Sequence, residues 1–433
     1  MDTSPLAKIE QGTAKITIVG LGYVGLPLAL TFAEAGFFVS AFDTDATKVA
    51  RLSAGESYIL DVTSERLAAA LTSGRFNPTT EECCHGSAEV IIICVPTPLT
   101  ATKNPDLSFV TSAGARVARN LKRGQLIILE STTYPGTTEE LLLPLMATEA
   151  RKVGIDFYLA FSPERIDPGG RSHQFHEVPK VVGGVTTECT RLATAVYSKV
   201  VDKVVPVSST RVAEMAKLLE NIFRSVNIAL VNELMLLCDR MRVDVWEVIE
   251  AAATKPYGYM KFLPGPGLGG HCIPIDPFYL SWKAKEYDFD TRFIELSGEV
   301  NRAMPQYVVS KISEALNTRR KSLNGSTVLL LGLAYKADVN DARESPSLTV
   351  AELVKQQQAR LIVNDPHVAT TRVDGLVLTS VPLTETLLRE ADCVVLMTNH
   401  AAYDYHFIAR HAQLIVDTRN AFAGYKGDNI VKL

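Results

Sequence analysis

Short apolar runs alternate with helix-like stretches over the first half of the chain. Residues 15–19 and 37–42 are two such runs, and the stretch between them is typical of a helix that ends at Gly36. Residues 89–95 and 125–129 are further apolar runs, with helical sequence between them. Short apolar runs that alternate with helices predict a parallel sheet with both faces covered.

The pattern changes after about Pro206. Residues 209–241 read as one long helix that is apolar on nearly every side, and such a helix is normally buried, here between domains or between subunits. More helical sequence covers residues 245–253 and 277–317. A second α/β block then begins at residue 326, with strand-like runs at 327–331, 361–363, 393–397 and 414–417 and a helix at 347–358.

The predicted domains are residues 1–206, 207–322 and 323–433, because 433 residues exceed one ordinary core. The net charge of −4 gives no indication of a nucleic-acid partner. No run approaches the roughly 20 apolar residues of a membrane span, and the N-terminus lacks a secretion-signal pattern. The seven cysteines are scattered, which argues against disulfides and a metal site. These features predict a reduced, cytoplasmic enzyme without a metal.

The first strand leads directly into Gly20-Leu-Gly-Tyr-Val-Gly25, and Asp43 ends the second strand. The three glycines allow a tight turn, close approach of a pyrophosphate and packing of the helix on the strand. A carboxylate at the position of Asp43 bonds the adenosine ribose and repels the 2′-phosphate of NADP. The pattern therefore predicts NAD as the cofactor, with Tyr23 and Val24 in the binding turn.

The fold class that follows is α/β. We expect two Rossmann-like, doubly wound parallel-sheet domains joined by a long central helix and a helical middle region. The second block lacks the glycine trio, so a mononucleotide or a nucleotide-sugar is a better expectation there than a dinucleotide. Its cations suit a diphosphate at the ends of the strands: Lys336, Arg343 and Arg419.

Two loops follow strands of the first sheet and are expected to face the cofactor. One contains Pro96 and Thr97, and the other contains Thr133. Each is also an ordinary turn sequence when taken alone. Glu164, in Ser162-Pro-Glu-Arg165, follows another apolar segment and is either a positioned general base or a solvated carboxylate.

Cys272 lies in the glycine- and proline-rich stretch Gly265-Pro-Gly-Leu-Gly-Gly-His-Cys-Ile-Pro-Ile-Asp276. A thiol in such a loop is a candidate covalent nucleophile, although most free cysteines are buried and inert. Lys217 and Asn221 share a face of the long helix and require partners or a ligand there. An ammonium near the thiol would lower its pKa and stabilise an oxyanion.

In this order the motifs resemble those of the UDP-glucose/GDP-mannose dehydrogenase family over nearly the whole chain. Within that family the chain most resembles bacterial UDP-N-acetylglucosamine 6-dehydrogenases of surface-polysaccharide pathways. The finer resemblance rests on residues 254–258 and 263–280. The family resemblance rests on Gly20-Leu-Gly-Tyr-Val-Gly-Leu-Pro27, Ser162-Pro-Glu-Arg165, Met215-Ala-Lys-Leu-Leu-Glu-Asn221, Gly269-Gly-His-Cys-Ile-Pro-Ile-Asp276 and Ala342-Arg-Glu-Ser345.

The resemblance implies oxidation of a sugar C6 alcohol to a carboxylate by two NAD, through a thiohemiacetal and a thioester on Cys272. Lys217 and Asn221 would stabilise oxyanions, Asp276 would assist proton transfer, Glu164 would promote thioester hydrolysis, and Thr133 would hold its surroundings. The implied cofactor contacts are Gly20, Gly22, Tyr23, Val24, Gly25, Asp43, Lys48, Pro96, Thr97, Thr133 and Arg343. The implied substrate contacts are Glu164, Arg165, Lys217, Asn221, Gly265, Gly269, Tyr335, Lys336 and Arg419.

Ile275 departs from many UDP-glucose dehydrogenases, which have a lysine immediately before this aspartate. This departure favours an N-acetylated hexosamine over glucose. The finer resemblance implies UDP-N-acetylglucosamine as the substrate, with UDP-N-acetylgalactosamine or UDP-glucose as close alternatives. A two-electron hydroxyacid-type dehydrogenase with a structural Cys272 is an alternative of another class. The apolar central helix further predicts a homodimer or a higher homo-oligomer.

Overall fold

The structure is a computed structural model that describes residues 4–59, 62–100, 102, 104–165, 174–270, 273–425 and 427–433. The chain divides into two compact units. The first contains Met1–Glu220 and Phe278–Phe289, and the second contains Asn221–Pro277 and Asp290–Leu433. The division into three sequence-based domains stays a prediction.

An eight-stranded sheet organises the first unit, in the order β3-β2-β1-β4-β5-β6-β7-β8. Neighbouring strands are parallel except for the antiparallel pair β6 and β7. Every residue of β4 and β5 is buried, as expected for strands with helices on both faces. The strands are β1 Lys15–Val19, β2 Phe38–Phe42, β3 Phe76–Thr79, β4 Val90–Ile93, β5 Leu126–Leu129, β6 Tyr158–Phe161, β7 Lys180–Gly184 and β8 Val204–Val207.

Helices flank this sheet, and a π turn at Thr138–Leu142 precedes the seventh of them. A 3₁₀ turn at Phe175–Glu177 precedes β7. The helices are α1 Pro5–Glu10, α2 Gly25–Glu34, α3 Ala46–Ser53, α4 Ser64–Thr72, α5 Cys83–Ser87, α6 Ser108–Asn120, α7 Leu143–Met146 and α8 Thr187–Tyr197.

The second unit is built on a five-stranded parallel sheet, in the order β10-β9-β13-β14-β15. Its strands are β9 Thr327–Leu331, β10 Arg360–Asn364, β13 Cys393–Leu396, β14 Ile415–Asp417 and β15 Ile430–Lys432, with a hairpin of β11 Thr370–Val373 and β12 Leu376–Thr379. The remaining helices of the chain are α9 Thr210–Met241, α10 Val245–Ala253, α11 Asp276–Ala284, α12 Arg292–Thr318, α13 Pro346–Gln356, α14 Glu385–Glu390 and α15 Tyr405–His411. The parallel α/β architecture with a long central helix confirms the predicted fold class.

The long helix α9 is confirmed as one helix, and one apolar side of it is exposed in the single chain, so its burial between subunits stays a prediction. Its inward face carries buried polar side chains: Glu214, Lys217, Asn221, Ser225 and Asn232. Its exposed face is an apolar stripe, formed by Val212, Met215, Leu219, Phe223, Leu230, Leu234, Leu237 and Met241. These apolar residues recur three, four or seven positions apart and so share one side of the helix.

By length and hydropathy alone, α9 is also long and apolar enough to span a membrane, which the sequence-based expectation overlooked. Its most apolar 18-residue window is 33% buried. The buried carboxylate, ammonium and amide groups on its inward face are poorly suited to a lipid-embedded helix. We therefore interpret α9 as a packing helix of a globular protein.

Candidate active site

The glycine turn between β1 and α2 has the shape that a dinucleotide requires. Gly20 has φ +95°, and a Cβ there would lie 2.5 Å from the carbonyl oxygen of Cys94. A Cβ on Gly25 would lie 1.8 Å from the carbonyl oxygen of Gly20. A Cβ on Gly22 would instead meet no atom within 4 Å. The turn thus leaves open space beside Gly22 at the N-terminus of α2, where a pyrophosphate fits.

Asp43 follows β2 and lies beside this turn. Its carboxylate accepts hydrogen bonds from the backbone amides of Leu21 at 2.8 Å and Asp45 at 2.9 Å. Lys48 Nζ lies 3.8 Å from Asp43 Oδ2. A carboxylate has about four acceptor positions, so Asp43 keeps capacity for ribose hydroxyls. The turn and this carboxylate together fit NAD.

The loops after β4 and β5 contribute the predicted threonines. Thr97 and Thr133 are both buried, and Ser131 Oγ ties the two loops by donating to the carbonyl of Val95 at 2.7 Å. Thr133 is 0% exposed, and its Oγ1 has no hydrogen-bond partner among the described residues. A buried hydroxyl without a partner costs about 1–3 kcal/mol, and the cofactor role of Thr133 stays a prediction.

Glu214, which sequence reasoning missed, holds the Thr133 loop on α9. Its carboxylate accepts from the amides of Gly136 at 2.6 Å and Thr138 at 2.9 Å and from the Thr138 hydroxyl at 2.7 Å. Burial raises the pKa of Glu214, although these hydrogen bonds oppose the rise. The only sequence signal was a carboxylate one turn before Lys217 on an apolar helix.

Glu164 and Lys217 come together within the first unit. Lys217 Nζ lies 3.8 Å from Glu164 Oε2, and both side chains are about nine-tenths buried. Arg165 donates to the carbonyl of Pro179 at 2.8 Å and pairs with Glu220 on α9. Arg165 is thereby held by protein groups, although its Nε has no hydrogen-bond partner among the described residues.

In the second unit, two amides of α9 bind the two ends of the segment from Gly265 to Asp276. Asn221 Nδ2 donates to Asp276 Oδ2 at 2.5 Å, and both side chains are buried. Asn232 Oδ1 accepts from the backbone amide of Gly265 at 2.9 Å, and its Nδ2 donates to Asn301 Oδ1 at 2.9 Å. Asn232 and Asn301 were missed by sequence reasoning. Cys272, the predicted nucleophile, lies outside the described residues.

Two glycines of the segment from Gly265 to Asp276 lie so close to Arg419 and Tyr335, two predicted substrate contacts, that a side chain on either glycine would collide with them. A Cβ on Gly265 would lie 2.7 Å from Arg419 Nη1, and a Cβ on Gly269 would lie 2.7 Å from Tyr335 Cβ. Arg419 Nε donates to the carbonyl of Met397 at 2.8 Å. Burial lowers the pKa of Arg419 to about 10, although nearby Asp417 opposes the shift, so this guanidinium is charged at neutral pH.

The other two predicted cations of the second unit differ in their surroundings. Lys336 is half-buried in the turn after β9. Arg343 is exposed and forms hydrogen bonds to both carboxylate oxygens of Asp341, at 2.6 Å for the shortest. Its side chain is thus oriented by a neighbouring carboxylate, and its cofactor role stays a prediction.

Asp365 in the second unit stands where Asp43 stands in the first, after the second strand of the block. It accepts from the amides of Leu333 and Ala334 and from His400 Nε2 at 3.0 Å. Its other oxygen accepts from the amides of His367 and Val368. Burial alone would raise the pKa of Asp365, but these hydrogen bonds hold it at about 2. Protein donors thus saturate the carboxylate that a ribose would need.

His400 also lies near Asp338 and His367, which together could present ligand atoms to a metal ion. However, His400 Nδ1 accepts a hydrogen bond from the Asp338 amide at 2.9 Å, and its Nε2 bonds Asp365. Both ring nitrogens are therefore engaged by protein groups, and a metal would have to displace one of these bonds.

The fold and the site define an NAD-dependent dehydrogenase with a separate nucleotide-binding α/β unit. Residues 14–201 match the NAD binding domain of the UDP-glucose/GDP-mannose dehydrogenase family, residues 211–303 its central domain, and residues 329–424 its UDP binding domain. The chain belongs to this family.

Its relatives act on several N-acetylated sugars. A UDP-N-acetyl-D-glucosamine 6-dehydrogenase from Pseudomonas aeruginosa is 37% identical over 358 residues, which cover 82% of this chain and 83% of the relative. An NDP-N-acetyl-D-galactosaminuronic acid dehydrogenase from Ralstonia nicotianae is 35% identical over 420 residues, which cover 94% of this chain and 96% of the relative. The solved structure of a UDP-D-ManNAc dehydrogenase from Pyrococcus horikoshii has a TM-score of 0.87 and 33% identity, covering 96% of this chain and 98% of its own.

Proposed function

We propose that the protein oxidises UDP-N-acetylglucosamine at C6 to UDP-N-acetylglucosaminuronic acid through a covalent intermediate on Cys272. The observation that supports this most strongly is the buried polar face of α9. It presents Lys217 beside Glu164 in one unit and Asn221 beside Asp276 in the other. Groups of this kind, buried on an otherwise apolar helix, are suited to stabilising and transferring charge in a dry site.

NAD would be held by the cofactor turn, Asp43 and Thr97. When bound, NAD is the hydride acceptor in both oxidations. In the first oxidation the C6 alcohol loses a hydride and a proton and becomes an aldehyde. The Cys272 thiolate then adds to the aldehyde carbon, forming a C–S bond and placing negative charge on oxygen. The ammonium of Lys217 and the amide of Asn221 are the groups proposed to stabilise that charge.

The thiohemiacetal then loses a hydride from C6 and becomes a thioester. Glu164 removes a proton from the attacking water, the C–S bond breaks, and the thiolate of Cys272 is restored. Asp276 assists proton transfer, and Thr133 and Arg165 keep the surroundings of Glu164 in place. In total, one alcohol, two NAD⁺ and one water give one carboxylate, two NADH and three protons.

The uridine diphosphate is proposed to bind the cations and the turn of the second unit. Arg419 and Lys336 suit the phosphates, and Tyr335 packs against Gly269 and Gly270 of the cysteine segment. Arg343 would act near the cofactor. The preference for an N-acetylated glucose rests on residues 254–258 and 263–280 and on Ile275 in place of lysine.

A panel of UDP-sugars tests the substrate. We expect UDP-N-acetylglucosamine to give the highest kcat/KM, with UDP-N-acetylgalactosamine, UDP-N-acetylmannosamine and UDP-glucose each at least about tenfold lower, since loss of good polar contacts costs 1.4 kcal/mol or more. The measurement is the initial rate of NADH formation together with product identity by mass spectrometry. Faster turnover of UDP-glucose than of every N-acetylhexosamine would overturn the assignment.

We further propose that the enzyme works in the cytoplasm, in the biosynthesis of surface polysaccharide such as O-antigen or capsule, and as a homodimer. The apolar stripe of α9 supports the dimer, because such a continuous exposed stripe is unusual for a monomer. A second copy of the same helix would cover it with matching apolar groups.

Leu230→Glu should convert the dimer to a monomer, because it puts a charge in the middle of this apolar stripe. The mass of the particle in solution, from light scattering at micromolar concentration, checks the result. Gln306→Glu is the matched control, since it adds the same charge at an exposed position of α12. A monomeric wild type, or a Leu230→Glu protein that stays dimeric, would contradict the proposal.

A further inference from the structure

Tyr58 contacts the cofactor turn from the loop that follows α3. Its side chain is half-buried, and its hydroxyl donates a hydrogen bond to the backbone carbonyl of Leu21 at 2.6 Å. Leu21 lies between Gly20 and Gly22 of the turn and is fully buried. A residue outside the glycine motif thus holds a peptide group of the turn in which a pyrophosphate fits.

The backbone of Leu21 is also bonded to the carboxylate that is expected to bind the adenosine ribose. The Leu21 amide donates to Asp43 Oδ2 at 2.8 Å, and Asp43 Oδ1 accepts from the amide of Asp45 at 2.9 Å. Leu21 therefore connects the Tyr58 hydroxyl to Asp43, because its carbonyl is bonded to one and its amide to the other. A displacement of Leu21 would move the donor that orients the carboxylate.

Arg51 of α3 holds the Tyr58 ring in place. The guanidinium carbon of Arg51 lies 5.5 Å from the centroid of the ring, at a distance typical of a cation–π interaction. Arg51 Nη2 also donates to the carbonyl of Ser57 at 3.4 Å, and the Ser57 hydroxyl donates to the carbonyl of Ile59 at 3.0 Å. The loop that carries Tyr58 is therefore tied to α3 on both sides of the ring.

The Tyr58 hydroxyl stays protonated. Burial raises the pKa of Tyr58 well above its ordinary value, the carboxylates of Asp43 and Asp45 raise it further, and Arg51 opposes the rise. The phenol is therefore neutral at physiological pH, and it remains a donor to the Leu21 carbonyl whenever the protein is folded.

We propose that Tyr58 is a positioning residue that sets the affinity for the adenosine end of NAD, because it fixes Leu21 and through it the carboxylate of Asp43. All residues in these contacts lie in the first unit. The inference concerns the cofactor and does not depend on which sugar is oxidised. Without the hydroxyl, NAD would have to order the Leu21 backbone on binding, and such ordering costs affinity without changing the chemical step.

Tyr58→Phe tests the inference, because it removes only the hydroxyl and keeps the ring beside Arg51. The dissociation constants of NAD and ADP-ribose, from isothermal titration calorimetry, should both rise about threefold to tenfold, the range expected for one hydrogen bond. ADP-ribose lacks the nicotinamide, so an equal rise locates the effect in the adenosine diphosphate part. Turnover at saturating NAD, with the UDP-sugar that the wild type oxidises fastest, should change less than about twofold.

Tyr405→Phe is the matched control. It also removes a hydroxyl that donates to a backbone carbonyl, that of His400 at 2.8 Å, but in the second unit. This variant should bind NAD and ADP-ribose as the wild type does. Weakening of both ligands by the control to the same extent would overturn the inference.

An Asp43→Ala background separates positioning from a general loss of stability. Once the carboxylate is absent, its orientation no longer matters, so Tyr58→Phe should then change the dissociation constant of ADP-ribose less than about twofold. The same loss in both backgrounds would overturn the route through Asp43. An unchanged dissociation constant in the single variant overturns the inference. So does a fall in turnover together with a lower melting temperature, because the hydroxyl would then support the fold as a whole.

Discussion

Replacing Cys272 with serine should abolish formation of the carboxylate. A serine hydroxyl is a much weaker nucleophile than a thiolate at neutral pH, so no covalent adduct would form on the aldehyde. We expect the rate of carboxylate formation to fall by at least about 10³-fold, in line with the loss of a catalytic nucleophile. NADH formation and carboxylate yield, measured on the same sample, check the expectation.

Cys83→Ser is the matched control for this prediction, since Cys83 is exposed on α5 and is far from Cys272 in the sequence. It should retain the wild-type rate. A Cys272→Ser protein that still makes two NADH per sugar would contradict the covalent mechanism. A wild type that makes one NADH, together with an active Cys272→Ser variant, would support the alternative of a two-electron hydroxyacid-type dehydrogenase with a structural cysteine.

Replacing Glu164 with glutamine should arrest the reaction at the thioester. Glutamine keeps the shape of the side chain beside Lys217, but it cannot take a proton from the attacking water. General-base catalysis contributes about 10²–10⁴-fold, so steady-state turnover should fall within that range. A rapid burst of two NADH per active site should precede the slow phase.

Mass spectrometry of the quenched Glu164→Gln enzyme should show a covalent adduct on the peptide that contains Cys272. Glu233→Gln, an exposed position of α9, is the matched control and should turn over at the wild-type rate without an adduct. A Glu164→Gln enzyme with wild-type turnover would remove Glu164 from the hydrolytic step. Slow turnover without a burst would place its role before the thioester.

Most strands of both sheets could be predicted from the sequence because they are buried on both faces. The predicted strand 327–331 and helix 245–253 coincide with β9 and α10. A continuous apolar run indicates a buried strand, and it can be recognised without knowing which distant residues pack on it. The strands β3, β7, β8 and β15 of the two sheets were not predicted. Of these, β3 and β8 lie at the two edges of the first sheet, and each contains a proline, Pro78 or Pro206. Proline is tolerated at an edge, where one side of the strand needs no ladder hydrogen bond.

Residues of the candidate site could be predicted from the sequence only where a short motif carries the chemistry. The glycine turn and Asp43 are close in sequence, and their spacing alone specifies the local geometry. Glu214, Asn232 and Asn301 had no such motif, because each acts on backbone or side chains far away in the chain. The partners of these residues are set by packing, which no local pattern encodes.

The sequence by itself determined the cofactor turn, the order of the α/β blocks and the proposal that Cys272 is the nucleophile. Only the tertiary structure decided which side of α9 faces inward. The sequence predicted a helix that is apolar on nearly every side and buried between domains or between subunits; in the single chain its inward face is polar and its apolar stripe is exposed. The physical reason is that the helical repeat in a sequence shows which residues share a side of the helix, but not whether that side packs against protein or faces solvent. Buried polar groups face inward here because partners such as Asp276, Gly265 and Glu164 are positioned by non-local packing to receive them.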